Sequence, residues 1–438
     1  MKLTKSTVLI LGILSVTSVG FMGCNGQGIS LSTSDTASDN TTDASETVSA
    51  NAEASENTGN LLVNEIGYES SARKLVIIRN NQTDHIFEVV DADSGLVKLT
   101  GTILENEYNE KSEEYTAYGD FSKVKDAGSY YIKVGNTISD TFLISETIYQ
   151  DMDNKQKDFL QNSTTGIGQD DRAFMIADDV LAYTYYPELF DETANGEQGE
   201  SEQVPVILQK AKKETEHILE EKELSLVSVA ALTMFAGEYA SFDASYSKEC
   251  LDAAIAGFSE RDETEQEDAL YWAAAELYKE TGSKEYQTVL NTIFEGEVPI
   301  GFGRGAVGYY GTLAYLTTTY KTDVDTCTKL MDQLFDDAIA IIEDSSKDGY
   351  KVATEDSYPK EDSTKMLQNA RLLTLMNIIS KSTDYVLGVE NHLDYLCGRN
   401  PYQINYFSEE HKMYREESFL FVLSGLMYSY ENGGEIEQ

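Results

Sequence analysis

Carboxylates are the side chains best placed to do chemistry in this sequence, and they come in pairs. Asp170 and Asp171 stand together in GIGQDDRAF. Glu409 and Glu410 precede His411 in SEEHK, and Glu416 and Glu417 follow in YREES. Paired carboxylates are the usual means of cleaving a glycosidic bond. One protonates the leaving oxygen, and the other acts as base or nucleophile. Pairing alone decides little here, because acidic residues number 76 against 33 basic ones and the formal charge is −43. In such a chain most adjacent carboxylates are solvated surface charges. The charge argues against nucleic acid as a partner, since phosphates would be repelled.

The other reactive types are sparse. Four histidines, His85, His217, His392 and His411, are spread along the chain without metal-ligand spacing on a helix. His217 and His392 fall in helical stretches and read as structural; His411, beside Glu409 and Glu410, is the one to watch. GRGAVG (303–308) fits the spacing of a dinucleotide loop, but no strand precedes it and no βαβ unit surrounds it. It reads as a glycine-rich lead into a helix. Cys250, Cys327 and Cys397 are scattered, form no CxxC, and read as small core residues.

These side chains need elements to hold them. Residues 61–146 carry short β-rich runs, LLVNEIGY, KLVIIRN, HIFEVVDADSGLVKLTG, EYTAYGDFS and GSYYIKVGNTISDTFLIS, separated by DSG, DAG and GN turns. That spacing predicts a β-sandwich of immunoglobulin type. Residues 147–438 are helical in pattern. Leu270, Ala273, Ala274, Leu277 and Tyr278 make one apolar face closed by Gly282, and Met331, Leu334, Phe335, Ala338 and Ile342 make another. Pro205 opens a helix. MLQNARLLTLMNIIS (366–380) is apolar nearly all round, which predicts a buried helix. About ten helices without a fixed repeat make a bundle, toroid or solenoid.

The start of the chain bears on its location. Lys2 and Lys5 precede an apolar run at residues 7–22 that is short for a membrane span, and FMGC follows. Residues 1–24 resemble a bacterial lipoprotein signal, with Cys24 as the lipidated residue. Residues 25–60 hold no aromatic, Lys or Arg and read as a disordered acidic tether. The expected location is the outer surface of a bacterial cell, with the membrane contacted through the lipid alone.

The order of segments resembles glycoside hydrolase family 9, the cellulases with an N-terminal immunoglobulin-like domain. LLVNEIGY and AGSYYIKV resemble that domain's opening and closing strands. MIADDVLAYTYYPELF, VPVILQKAKKETEHIL, EDALYWAAAELYKETGSKEY, DGYKVATE, NHLDYLCGRNP and FLFVLSGLMYSYE resemble successive parts of its helical domain. The resemblance runs from about residue 61 to the end. It implies an (α/α)6 barrel behind the sandwich and a β-glucan or related plant polysaccharide as ligand. Inverting hydrolysis would then use Asp170 or Asp171 to activate water and Glu410 to protonate the leaving oxygen. The resemblance also makes His411, Tyr406 and Arg399 substrate-contact candidates. It implies no cofactor; calcium, which parts of the family carry, is assigned to no residue here.

The sequence departs from that family where the chemistry would lie. The family's Asp-Ala-Gly-Asp motif is replaced by TTGIGQDDRAFMIADD, which contains no DxxD. Only EEKELSLVSVA stands where the family has a long cleft segment. One histidine follows GRNP instead of several, and the chain's sole tryptophan, Trp272, lies on an expected core helix. Sugar clefts use aromatic faces, so a second reading stands beside the first: a barrel that has lost catalysis and serves as a glycan-binding or scaffold protein.

Overall fold

The computed structural model describes residues 56–80, 84–162, 167–190, 204–261, 266–361, 363–411, 413 and 418–432. The signal segment, Cys24 and most of the acidic tether lie outside these residues, as do Glu416 and Glu417.

Nine strands come first: β1 (Glu56–Asn57), β2 (Leu61–Leu62), β3 (Leu75–Arg79), β4 (Ile86–Asp91), β5 (Val97–Asn109), β6 (Glu114–Asp120), β7 (Gly128–Val134), β8 (Thr137–Ile138) and β9 (Phe142–Ile144). Strand β5 belongs to both layers. Its first half pairs antiparallel with β4 and its second half with β6. One layer therefore runs β1-β8-β7-β4-β5, with β9 on β7, and the other β5-β6-β3-β2. Side chains alternate in and out, and the inward set (Val76, Ile78, Phe87, Val89, Ala117, Phe121, Tyr130, Ile132 and Phe142 among them) fills the space between the layers. Phe87 is the central plug. A Cβ on Gly101 would stand 2.3 Å from its ring and one on Gly119 2.5 Å, so both strands need glycine for the ring to lie flat against them. The pairing of β1 with β8 puts ordered chain at Glu56, earlier than the tether expected to run to residue 60. A ladder bond recruits backbone, which a polar sequence supplies as well as an apolar one.

Twelve helices follow among the described residues: α1 (Ile148–Asn162), α2 (Gln169–Tyr185), α3 (Val206–Leu219), α4 (Leu226–Tyr239), α5 (Ala244–Glu260), α6 (Glu267–Thr281), α7 (Lys284–Ile293), α8 (Gly308–Thr317), α9 (Val324–Lys347), α10 (Thr364–Ile379), α11 (Thr383–Leu396) and α12 (Leu420–Asn432). They alternate in kind. The even-numbered helices are buried on almost every face; all ten residues of α8 are buried, as are Arg172 to Ala182 of α2. Of the odd-numbered helices, α3, α5, α7 and α9 carry one apolar stripe and a charged outer face, as in α9, where Leu330, Met331, Leu334 and Ala338 point inward, whereas α11 is buried on nearly every face. An inner ring of six helices inside an outer ring of six is the (α/α)6 barrel. Two sequence expectations need adjustment. Helix α6 ends at Gly282 in the left-handed conformation as expected, but Tyr271 to Tyr278 are all buried, so its apolar surface is a full circumference rather than a single face. His217 lies on α3 but is exposed.

The sandwich is fastened to the outer helices by buried polar contacts. Asn64 donates to Asp394 at 2.8 Å and the Glu65 amide to the Cys397 carbonyl at 2.9 Å. Glu114 accepts from Arg79 within the sandwich and from the Tyr350 hydroxyl across the boundary. Asn109 donates to the Tyr358 hydroxyl at 2.6 Å.

Candidate functional site

The inner helices all begin at one end of the barrel, and this end holds one of the carboxylate pairs that the sequence singles out. Asp170 and Asp171 occupy the first turn of α2. Asp170 is exposed, and one of its oxygens accepts from the Ser225 hydroxyl at 2.5 Å. Ser225 caps α4, accepting from the Ser228 amide at 3.1 Å. Asp171 is half-buried and ion-paired with Arg304, and it also accepts from the Gly168 amide at 3.4 Å. Arg304 belongs to the GRGAVG turn, whose carbonyl at the same residue accepts from Gln368 of α10 at 2.8 Å. Asp268, in the first turn of α6, accepts from the Val307 amide at 3.1 Å. One end of the ring is thus laced together by Asp170, Asp171, Asp268, Arg304 and Gln368.

The glycines of GRGAVG have a steric role. A Cβ on Gly303 would stand 2.4 Å from Nη1 of Arg371. Arg371 is fully buried in the middle of α10. Its guanidinium donates to Asp178 at 3.2 Å, to the Phe302 carbonyl at 3.3 Å and to the Ser418 carbonyl at 2.6 Å. Asp178 in turn accepts from the Phe421 amide at 2.9 Å. This hub ties α2, α10, α12 and the turn before α8 together directly beneath the carboxylate end. Its neighbour Asp179, paired with Lys210 at 3.0 Å, has its carboxyl pushed up to about 6 by burial. The sequence reading did not pick out the hub, although an arginine set among LQNARLLTL was its signal.

The other candidates separate into two groups. Glu410 and His411 lie exposed in the turn after the GRNP landmark; Glu409 pairs with Lys155 at 3.7 Å, and the His411 ring stands 5.8 Å from that of Tyr406. Arg399 and Tyr406 are inside the protein, which corrects their reading as substrate contacts. Arg399 is fully buried, paired with Asp394 at 2.8 Å and donating to Asn391 at 2.7 Å, so no face of it is open to a sugar. Tyr406 is buried, with its hydroxyl donating to the carbonyls of Pro359 and Lys360 at 3.2 and 2.7 Å. Tyr395 and Tyr402 donate to the same loop, at Pro359 and Tyr358. The landmark is therefore a structural corner: Asn400 folds it by donating to the Tyr395 and Ile404 carbonyls, both at 2.7 Å.

Beside the carboxylate end lies a 730 Å³ cleft bordered by Phe302, Tyr309, Asp337, Asp356, Lys365 and Gln368. The Tyr309 hydroxyl donates to Asp337, whose carboxyl is raised by burial and lowered in part by Lys365. Asp337 was not singled out from the sequence, because on an amphipathic outer helix it looks like any solvated acid. Among the described residues no three His, Cys, Asp or Glu side chains are grouped to hold a metal ion.

Comparison with known proteins meets this geometry from the other side. The model for "Cellulase N-terminal ig-like domain" matches residues 56–139, and that for "Glycosyl hydrolase family 9" matches residues 100–418. The chain belongs to glycosyl hydrolase family 9. Solved structures agree on the fold. A metagenome-derived family 9 endoglucanase superposes with a TM-score of 0.66 at 17% identity, covering 79% of this chain and 84% of that one. A Bacteroides ovatus family 9 protein gives 0.65 at 15% identity, covering 85% and 99%. A thermostable endoglucanase from Alicyclobacillus acidocaldarius gives 0.64 at 17% identity, covering 79% and 83%. No curated protein sequence matches the chain. The family 9 fold is therefore present from sandwich to last helix.

Proposed function

We propose that this family 9 protein is a surface-anchored binder of β-glucan-type polysaccharide whose barrel has lost hydrolysis. The observation that carries the reading is the state of the α2 carboxylates. An inverting hydrolase needs a base that holds a water and, across the sugar, an acid. Asp171 is clamped by the Arg304 guanidinium, and Asp170 is hydrogen-bonded to the cap of α4. Both serve to join neighbouring helix ends. Glu410, the acid candidate, stands exposed in a turn, and none of its contacts reaches Asp170 or Asp171 among the described residues. The 730 Å³ cleft bordered by Asp337, Asp356, Lys365 and Gln368 offers polar groups that a neutral sugar chain's hydroxyls can meet.

The hydrolase reading keeps one specific support: Asp170 is exposed at the start of an inner helix, in a protein of a hydrolase family. In that case Asp170 or Asp171 is the base, Glu410 the acid and the outcome inversion. Incubation with β-glucan, xylan and xyloglucan, followed by reducing-sugar measurement beside Glu410→Gln, separates the readings. Release that vanishes in the variant overturns the binding proposal. Retardation in gels containing these polysaccharides, with no release, supports it. Anchoring through Cys24 is a separate part of the proposal, supported by the MKLTK…FMGC segment. Detergent-phase partitioning of the expressed protein that disappears in Cys24→Ser checks it.

A further inference from the structure

Helix α11 brings two buried carboxylates, one turn apart, to the boundary with the sandwich, and only one of them is neutralised. Asp394 is paired with Arg399 at 2.8 Å and accepts from Asn64 of the sandwich, also at 2.8 Å. Glu390 is 3% exposed and has no such cation. Its Oε1 accepts from the Tyr430 hydroxyl on α12, and its Oε2 is buried without a hydrogen bond. The cation that faces it from the sandwich is Lys74, itself fully buried. The three N–H groups of that ammonium go to the carbonyls of Glu69, Ser70 and Ala72, at 3.2, 2.7 and 2.8 Å. None is left for Glu390.

A buried carboxylate without a cation is costly as an anion and cheap with its proton. The other neighbours do not relieve it. Asp394 and Glu69 add negative charge to the cluster. Tyr149 of α1 lies against Tyr430, ring centroids 6.3 Å apart, and closes the fourth side. Arg73, next to Lys74, is turned to Asp120 at 3.4 Å. Burial accordingly pushes the Glu390 carboxyl up to about 8, against the pull of the Tyr430 hydroxyl. A 200 Å³ hollow bordered by Arg73, Leu387, Gly388 and Asn391 lies alongside, so the chain at 69–74 has room to move off the helix.

We propose that Glu390 is a proton-operated latch between the sandwich and the barrel, which seals residues 69–74 against α11 and α12 while it carries its proton and opens that contact when it ionises. Opening returns the carboxyl to water, where it ionises near its ordinary value of 4.5; closed, it keeps its proton to about 8. The closed contact is therefore fully favoured below pH 4.5 and loses its advantage as pH rises toward 8, by up to about tenfold in the opening equilibrium per pH unit. Lys74, pushed down to about 8 by burial, titrates above this window. Glu69, raised by burial, titrates within it, so the test turns on residue 390.

Hydrogen exchange of the full chain, corrected for intrinsic chemistry, reads the opening at the amides of Ala72 and Lys74, which donate to the Glu69 carbonyl at 3.2 Å and to the Ser122 hydroxyl at 2.9 Å. Between about pH 5.5 and 7.5 their protection should fall at least about tenfold in the wild type. In Glu390→Gln, which keeps the shape of the protonated acid, it should fall by no more than about twofold. An equal fall in both proteins overturns the latch, as does wild-type protection that does not change with pH. A fall of the same size across β7 overturns it too, because the whole fold and not this contact would then be yielding. Should the glutamine variant not fold, Tyr430→Phe carries the test. Without the hydroxyl that steadies the anion, Glu390 holds its proton more tightly, and the fall should continue above about pH 8, where the wild type levels off. Levelling off at the same pH in both overturns Glu390 as the group that titrates.

Discussion

Two acidic pairs lie eight residues apart on helix α2 and meet opposite environments. Asp170 and Asp171 sit at the helix tip, bonded to Ser225 and Arg304 in reach of solvent. Asp178 and Asp179 sit mid-helix, fully buried, bonded to Arg371 and Lys210. The residue types are the same, so the difference comes from position alone. In the interior each carboxylate needs a cation and further donors to offset its lost hydration. At the tip, water does part of that work. The buried pair is thus committed to architecture, while the tip pair is free to be a site and is here used mainly to lace helix ends. In so acidic a chain, the count of carboxylates is a poor guide to chemistry and their partners are a good one.

The comparison is broken most severely at Arg371. Arg371→Met removes the cation beneath the tip and leaves Asp178 buried beside the Phe421 amide alone. Breaking one side of a buried ion pair costs about 3–5 kcal/mol, and urea unfolding should show a loss of that size. Pairing it with Asp178→Leu should recover part of the loss. A single-variant cost below about 1 kcal/mol would mean that the hub does not hold the ring.

A second interior group carries the same lesson into pH. His392 on α11 is fully buried; its Nδ1–H donates to the Gly388 carbonyl at 2.7 Å, and Nε2 accepts from the Ala353 amide at 3.3 Å. Burial pushes its value down to about 4. An unfolded chain takes up that proton near its ordinary value of 6.5, and the folded chain refuses it until about 4. The contribution is therefore fully present above pH 6.5 and is lost as pH falls toward 4, at a cost of about 3 kcal/mol. The stability gap between wild type and His392→Gln should shrink by roughly that amount between pH 7 and pH 4. A gap that stays constant would show that the imidazole protonates without cost where it lies.

The sandwich offers a test of similar or smaller size with no charge involved. Gly119→Ala drives a Cβ into the Phe87 ring. Overpacking of this kind costs about 1–3 kcal/mol, measurable by thermal unfolding. Gly119→Ala combined with Phe87→Leu should recover part of it.

How much of this was legible depended on whether a signal was local. The sandwich and the helices were readable, because alternation in KLVIIRN and the apolar run MLQNARLLTLMNIIS report burial directly. The barrel came through as a resemblance carried by segments such as EDALYWAAAELYKETG, which pack the ring whatever the site does. The site was harder. Arg399 lies within a strong motif and was read as a sugar contact, but its partners, Asp394 and Asn391, fix it in the interior. Tyr406 was misread for the same reason: the loop at 358–360 that its hydroxyl holds lies over forty residues away in sequence. Arg304 was passed over inside a glycine-rich turn, because its pairing with Asp171 spans 133 positions that no local pattern records.

The smallest expected effect is also the one aimed most directly at the tip pair. Arg304 and Asp171 are 37% and 23% exposed, and an ion pair with that much solvent contact is worth about 0–1 kcal/mol. Arg304→Met should therefore leave unfolding almost unchanged, in contrast to Arg371→Met a few ångströms below. It does, however, release Asp171 from its cation. If the tip pair only laces helix ends, the variant still frees no reducing sugar from β-glucan. If hydrolysis appears in Arg304→Met and is abolished by adding Asp171→Asn, the aspartate is a base held in check by its partner. The contrast between the two acidic pairs would then be one between structure and suppressed chemistry.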